Sequence, residues 1–360
     1  MAVHSSKSVT LTDVAEAAGV SRWLAGRVLN GGKSSARSSE ETRQRIIHVA
    51  KQLHYHPNHA ARMLTGKRSH SFGLLVLSSG DPLRSFLVEY LDARSMEVGC
   101  HTLIGNTMGP PDVGPNQFDQ YVDIFAQRGV DGVFCTVHHW CEGDRERLLE
   151  RHPNTVFYEN PGLPGAAYVE VDREEAVRLA VRHLSERGCQ KIGLAVMTLS
   201  RQTHIARRRG YEIEMALRGL PFDECSIFNG EKHGLVIAKY NTSSNKWDFP
   251  IEVMDQVINS LVRDQGCDAI VAHDDFWAAA MIKRMRARGI SVPHDVAVVG
   301  YLNHYLADWS DPALTTVHLR HNVAAEMMVQ MLERMVTEGP LPEDERVVKI
   351  KPKLIVRESA

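Results

Sequence analysis

Hydrophobic positions follow a helical period before about residue 70, and afterwards short apolar runs alternate with helical stretches. In the first part Val14, Ala17 and Ala18 form one apolar face, Gly19 permits a turn and Val20 anchors it. Thr10, with Asp13 three residues on, has the form of a helix N-cap with an acidic group near the positive end of the helix. Ser21 is the expected cap of a second helix reaching Leu29. Ser39 is the expected cap of a third, in which Ile46, Ile47, Ala50 and Leu53 recur at helical spacing. The pattern predicts an all-α helix-turn-helix head with a minimal core, whose second helix has the size that enters a DNA major groove.

From Phe72 onward the predicted strands are 72–77, 101–105, 132–137, 154–158, 191–196, 268–272 and 295–300. Helical stretches are predicted at 84–98, 116–129, 173–187, 204–218, 250–265, 275–288 and 322–337. This βα alternation predicts an α/β body of doubly wound parallel sheets. In such sheets ligands bind at the carboxyl ends of the strands.

A chain of 360 residues suggests two or three domains, and 43% hydrophobic residues supply material for their cores. The net charge of −2 conceals an asymmetry: residues 1–70 hold eleven Lys/Arg against four Asp/Glu, and the remainder holds 31 against 40. A basic head of +7 on a body of −9 points to a polyanion bound by the head alone. The six cysteines are scattered without C-x-x-C spacing, as expected of reduced thiols. Met1–Ser8 lacks the apolar core of a secretion signal, and no apolar run approaches the length of a membrane span, so a cytoplasmic protein without a membrane partner is expected. Neither G-x-G-x-x-G, a Walker A sequence, H-E-x-x-H nor G-x-S-x-G occurs, and His138–His139 reads as loop. No enzyme activity, catalytic residue, metal or cofactor is expected.

The head resembles the lactose-repressor (LacI/GalR) family through D-V-A-x-x-A-G-V-S, R-V-L-N, S-E-E-T-R and Y-x-P-N. The resemblance continues along nearly the whole chain, through Arg128–Gly132, Val169–Asp172, His183–Gly188, Arg207–Tyr211, Val292–Tyr301, Pro312–Val317 and Leu354–Ser359. It implies a DNA-binding transcriptional regulator, repressor in type, with a two-lobed periplasmic-binding-protein-like body. The implied partners are a double-stranded operator, a sugar-like effector and a second copy of the chain. With no leucine heptads after Ser359, a dimer is expected rather than a tetramer. Control by a protein partner, or a sugar-binding receptor without a regulatory role, are the alternatives. The implied divisions are a DNA-binding domain at 1–57, a hinge helix and linker at 58–70, and an effector-binding and dimerisation body at 71–360. Within the body, lobe one takes 71–170 and 301–338, and lobe two takes 171–300 and 339–360.

Site residues follow from the same resemblance. Thr10, Ser21, Arg22, Trp23, Arg27 and Asn30 align with positions that contact DNA. Arg22 is expected to pair with guanine. Trp23 either packs on a thymine methyl or sugar, or covers an apolar patch against the third helix. Asn58 is the expected cap of the hinge helix, Ala61 and Leu64 face the symmetry mate, and Leu64 wedges into the minor groove. In the body, Ser79, Asp81, Glu159, Arg207, Asp274, Phe276, Trp277 and Tyr301 align with, or stand near, effector positions, and Trp140 is a further aromatic candidate. The chain departs from the family at Leu24, Ala25 and Gly26 in the reading helix, in a longer loop at 31–38, and at Arg173, His273, Leu302 and Asn303. Gly230–Pro250 is also longer and more polar, as a loop over the cleft or a surface insertion. These departures put an ordinary pentose or hexose effector in doubt.

Overall fold

The computed structural model describes residues 9–29, 39–55, 68–77, 84–107, 117–137, 141–234, 239–241, 246–248 and 253–360. The expectations for the 31–38 loop, the hinge helix with Asn58, Ala61 and Leu64, and the residues Asn30, Ser79, Asp81, Trp140 and His138–His139 lie outside them. The chain divides into two compact units, one ending at Ser69 and the other beginning at His70.

In the first unit, α1 spans Leu11–Ala17, α2 Arg22–Leu29 and α3 Glu40–Gln52. Thr10 closes a reciprocal cap: its hydroxyl accepts from Asp13 N at 3.4 Å, and Asp13 Oδ2 accepts from Thr10 N at 2.7 Å. Ser39 caps α3 by accepting from Thr42 N at 3.2 Å. These contacts satisfy amide groups that a helix start leaves orphaned. Gly19 takes φ +65°, the left-handed conformation that the turn requires. Val14, Ala15, Ala18, Ala25 and Ile46 make a small core flanked by Leu11, Leu24 and Val28. A Cβ on Gly26 would stand 3.0 Å from Leu11 Cδ2, so the residue that weakens α2 also lets α1 approach it closely.

The second unit contains two six-stranded sheets. Its elements run β1 (Ser71–Val76), α4 (Ser85–Glu97), β2 (His101–Asn106), α5 (Phe118–Arg128), β3 (Gly132–Cys135), α6 (Asp144–Arg151), β4 (Thr155–Tyr158), β5 (Ala167–Val171), α7 (Arg173–Glu186), β6 (Ile192–Val196), α8 (Gln202–Leu217) and β7 (Ile227–Asn229). They continue with β8 (Lys239–Asn241), β9 (Lys246–Asp248), α9 (Val253–Ile258), β10 (Ala269–Val271), α10 (Asp275–Ala287), β11 (Ala297–Leu302), α11 (Leu306–Trp309), β12 (Thr315–His318), α12 (His321–Glu338), β13 (Val347–Ile350) and β14 (Lys353–Ile355). Helix α9 runs into a wider turn of π geometry at Asn259–Asp264.

The first sheet has the order β13-β5-β4-β3-β1-β2, and the second β14-β12-β11-β10-β6-β7. All pairings are parallel except that of β14 with β12. Both sheets reverse their winding beside the first strand, between β1 and β3 and between β6 and β10. Such a switch point leaves a crevice at the carboxyl ends of the strands. One hydrophobic cluster runs through both lobes, from Phe72 and Val169 to Val299 and Val317. Within the polar stretch, Lys239–Asn241 (β8) pairs antiparallel with Lys246–Asp248 (β9).

The lobe boundaries expected within the body need correction. Residues 315–318, assigned to lobe one, extend the second sheet through pairing of Val299–Leu302 with Thr315–His318. Residues 347–350, assigned to lobe two, pair with Tyr168–Val171 at the edge of the first sheet. The three passages between lobes are therefore at 171–173, 318–321 and 350–353. Pairing with distant strands decides these memberships, and chain proximity to the preceding strand does not.

Candidate nucleic-acid interface and effector cleft

On the head, Ser21 accepts from Leu24 N at 3.2 Å and opens α2, which brings Arg22 and Trp23 to its exposed first turn. Trp23 is 60% exposed, with the Arg27 guanidinium 4.9 Å from its ring centre. The indole stands largely on the surface with a cation over its ring. Arg22 and Trp23 lie at the start of α2 and Arg27 in its last turn, and all three are basic or aromatic, the residue types suited to phosphate and base edges. Thr10 is exposed and engaged in its cap.

In the body, the carboxyl ends of the strands beside both switch points bring titratable side chains together. Helix α8 follows β6 and carries Arg207, 7% exposed. Its guanidinium lies 3.7 Å from the centre of the Tyr301 ring on β11, and Nη1 donates to the His273 carbonyl at 2.7 Å. Arg207 Nε is buried without a hydrogen-bond partner. Burial pushes the Arg207 pKa below its ordinary value, with the charge of Arg173 acting in the same direction.

Asp274 follows β10 and caps α10, accepting from Trp277 N at 2.8 Å. Burial pushes its carboxyl up to about 7, although the bond from Trp277 and the charge of Arg207 act the other way. Its neighbour Asp275 is fully buried, accepts from Thr316 Oγ1 at 2.5 Å and His304 N at 2.6 Å, and is raised by burial to about 6. The His204 and His273 rings meet edge to face at 5.1 Å. Burial, then the charge of Arg207, lowers His204 to about 2 and His273 well below the ordinary imidazole value, so both are neutral.

From lobe one come Tyr158, at the end of β4, and Glu159, whose backbone takes φ +74°. Arg173, 9% exposed on the first passage between lobes, ties them to lobe two. It pairs with Glu159 Oε1 at 2.5 Å and donates to the hydroxyls of Tyr301 at 3.3 Å and Tyr158 at 3.4 Å. A second aromatic bridge joins Phe86 on α4 to His304 at 5.3 Å, with Phe276 behind His304 at 4.7 Å.

The structure thus gathers Glu159, Arg207, Asp274 and Tyr301 into one connected group. Phe276 belongs to the Phe86–His304 bridge. Trp277 lies in the core of lobe two, its ring 5.2 Å from His273. Tyr301 is fully buried, with its face taken by Arg207. Sequence reasoning marked Arg173 and His273 only as departures and missed His204, Arg84 and His321. Arg84 lies 5.7 Å from the Tyr158 ring centre, and His321 meets that ring edge-on at 6.0 Å. Their only local signal is position at the start of a helix: Arg84 precedes α4, His204 lies in the first turn of α8 and His321 opens α12. No helix among the described residues is long and apolar enough to cross a membrane.

Comparison with known proteins agrees with this architecture. A family model for bacterial regulatory proteins of the lacI family matches residues 10–58, and one for the periplasmic binding protein-like domain matches residues 181–360. The HTH-type transcriptional regulator DegA of Bacillus subtilis (strain 168) is 29% identical over 359 residues, covering 97% of each protein. Among solved structures, the lac repressor dimer bound to operator and the anti-inducer ONPF superposes with a TM-score of 0.77 at 20% identity, covering 98% of this chain and 99% of that one. The CelR–cellobiose complex gives a TM-score of 0.67 at 24% identity, covering 98% and 100%. The two models together match more than half of the sequence, and the chain belongs to the LacI family of DNA-binding transcriptional regulators.

Proposed function

We propose that this regulator is a repressor that binds a pseudo-palindromic operator as a homodimer and is switched by a small polyhydroxylated molecule held between the two lobes. The observation that carries the reading is Arg207: a buried guanidinium with an unpartnered Nε, beside Asp274, at the carboxyl ends of the strands flanking a switch point. The CelR relative is described with cellobiose and the lac repressor as an operator-bound dimer, which supports the same reading here.

In this reading Arg22 and Trp23 read bases, with Thr10, Ser21, Arg27 and Asn30 around them. Asn58, Ala61 and Leu64 belong to a hinge within 58–70 that inserts at the operator centre. Arg207 and Asp274 contact the effector, Glu159 and Tyr301 position them, and Ser79 and Asp81 come from the facing lobe. A helix as short as 58–65 is unstable alone, so it forms where two copies meet on DNA. Phe276 and Trp277 support the cleft from behind.

Exposed apolar side chains on both lobes support the dimer. Lobe one carries Tyr90, Met96, Val98 and Ile104. Lobe two carries Tyr305 and Trp309, the latter 76% exposed beside a groove of 280 Å³ lined also by Ile282 and Leu306. Trp309→Glu is expected to shift the protein toward monomer in sedimentation velocity; an unchanged dimer would remove that face from the interface.

The deciding experiment is selection of operator sequences from a randomised duplex pool by the purified full chain, followed by titration of the selected duplex with a small-molecule panel. Enrichment of an inverted repeat, with binding altered by a compound that also raises the melting temperature, is the expected result. A selected site without two-fold symmetry, or a response that persists in Arg207→Ala, would overturn the reading.

A further inference from the structure

We infer that the turn Leu302–His304 is a relay between two surfaces: it carries the setting of lobe one, felt by His304 through Phe86, to Tyr305 and Trp309 on the outside of lobe two. Association of the second copy at that outer face and the setting of the lobes are then one coupled equilibrium. The inference rests on the dimer face proposed above and adds its dependence on the lobes.

A row of rings runs from one lobe to the outer face of the other. Phe86, half-buried on α4, meets the buried His304 ring at 5.3 Å. His304 lies 4.7 Å from Phe276 and 3.9 Å from Tyr305, and Tyr305 lies 4.9 Å from Trp309. The core of lobe two takes Ala307 from α11 and leaves Tyr305 and Trp309 exposed. The row thus begins at a contact between lobes and ends in solvent.

The backbone that carries the row is bent at a defined place. Leu302 has φ +120° and Asn303 φ +56°, a region that such side chains adopt only where their surroundings impose it. Two buried groups impose it here. Asp275 accepts from His304 N at 2.6 Å and Thr316 Oγ1 at 2.5 Å, and Thr316 Oγ1 accepts from Asn303 N at 3.3 Å. A Cβ on Gly300 would stand 2.2 Å from Asp275 Oδ1, so glycine is what lets the carboxyl reach the turn. Strain of this kind collects in switch segments.

Beyond the bend the segment is tied into one body. Arg357 Nη2 donates to Asn303 Oδ1 at 2.9 Å and pairs with Asp308 Oδ1 at 2.7 Å. Leu306 N donates to His304 Nδ1 at 3.3 Å, and Ala307 N to the His304 carbonyl at 2.8 Å. A displacement of the His304 ring therefore moves α11 as a unit, with Trp309 at its far end. Close-packed rings pass such a displacement on because a packed interior yields little.

The test uses the full-length protein labelled with 5-fluorotryptophan. The Trp309 resonance is identified among the five tryptophans by Trp309→Phe. Phe86→Leu removes the ring on the other lobe and is expected to displace the Trp309 fluorine resonance. Tyr121→Leu, in a lobe-one aromatic that packs on Phe125, is expected to leave it in place. His304→Asn breaks the row and keeps an acceptor for Leu306 N; in that background Phe86→Leu is expected to have no further effect. Sedimentation over a concentration series is expected to show the dimer dissociation constant changed about fivefold or more by Phe86→Leu. Should Phe86→Leu lose the wild-type circular dichroism spectrum, Phe86→Met takes its place. A Trp309 resonance that ignores Phe86, or that still follows it in His304→Asn, overturns the relay whatever the oligomeric state. If Trp309→Glu breaks the dimer while Phe86→Leu leaves its constant unchanged, the coupling is overturned and the dimer face stands. If Trp309→Glu leaves the dimer intact, the dimer face fails and the fluorine resonance alone decides the relay.

Discussion

The Arg173–Glu159 pair is a buried ion pair that links the lobes, and its removal has a calculable cost. Two unit charges about 4 Å apart attract by roughly 4 kcal/mol at an effective dielectric constant near 20. The side chains are 9% and 13% exposed, so little of that attraction is screened by solvent. Burial works against the charge of Arg173, yet Glu159 and the flanking tyrosines hold its pKa well above the ordinary arginine value. Glu159→Gln keeps the shape and the positive-φ backbone but leaves a buried cation with only tyrosine hydroxyls. A loss of about 3 kcal/mol is expected, and Arg173→Met is expected to cost a similar amount. The double variant should cost about as much as either single change, giving a coupling energy of about 2–3 kcal/mol. Urea denaturation of the four proteins, at constant m-value, measures it. A coupling below about 0.5 kcal/mol would be the value of a solvated surface pair and would refute the latch. A coupling that vanishes on raising the salt to 0.5 M would do the same, because a buried pair is weakly screened.

Three further outcomes are expected. Trp23→Ala should change stability by less than about 0.5 kcal/mol, because its indole is outside the head core, while operator affinity in a gel-shift titration falls by about 1–3 kcal/mol; the opposite pattern would make Trp23 a structural residue. Gly210→Ala places a Cβ 2.2 Å from the Glu174 carbonyl, so α7 and α8 must separate at a cost of about 2–3 kcal/mol; an unchanged melting temperature would show that the contact is slack. Asp274 holds its proton in the folded state up to about pH 7 and in the unfolded state only to about 3.9, so stability falls as pH rises from about 4 to 7. Asp274→Asn should remove this part of the slope and leave that of Asp275, and an unaltered pH profile would refute the raised pKa.

The head was legible because its signals are local. Thr10, Ser21 and Ser39 announce helix starts, Gly19 announces the turn, and each contact that confirms them spans a few residues. The body was legible where strands are buried on both faces, as at Ser71–Val76 and Ile192–Val196. It was illegible at Ala167–Val171, Thr315–His318, Val347–Ile350 and Lys353–Ile355, which are short and mix polar with apolar residues. Strand membership there is set by partners far away in sequence, which local period does not encode. Arg173 shows the same limit in the site. Its substitution for asparagine was visible, but its partners are Glu159, Tyr158 and Tyr301, the last separated from it by 128 residues. Trp277 reads as an aromatic candidate beside the cleft, yet its place on α10 directs it into the core behind His273.

The cleft and the passage between lobes share one side chain, Tyr301. Its ring carries Arg207 and its hydroxyl accepts from Arg173, which sits on the first passage and grips Glu159 of lobe one. An occupant that draws the Arg207 guanidinium toward itself changes the electrostatic environment of Tyr301, and through it the bond to Arg173. The Phe86–His304 bridge reaches the same place by another route. The His304 amide donates to Asp275, and Asp275 adjoins Asp274, the carboxylate assigned to the effector in the proposed function. With the effector placed as proposed, both routes join it to a contact between lobes, and binding energy in the cleft then depends on how the lobes are set against each other. That dependence is the physical requirement for a switch: a ligand shifts a conformational equilibrium only by the difference in its affinity for the two states, about 1.4 kcal/mol for each tenfold. The neutral histidines fit the same logic. Because His204, His273 and His321 stay uncharged, the electrostatic state of the cleft is set by its arginines, its carboxylates and whatever occupies it.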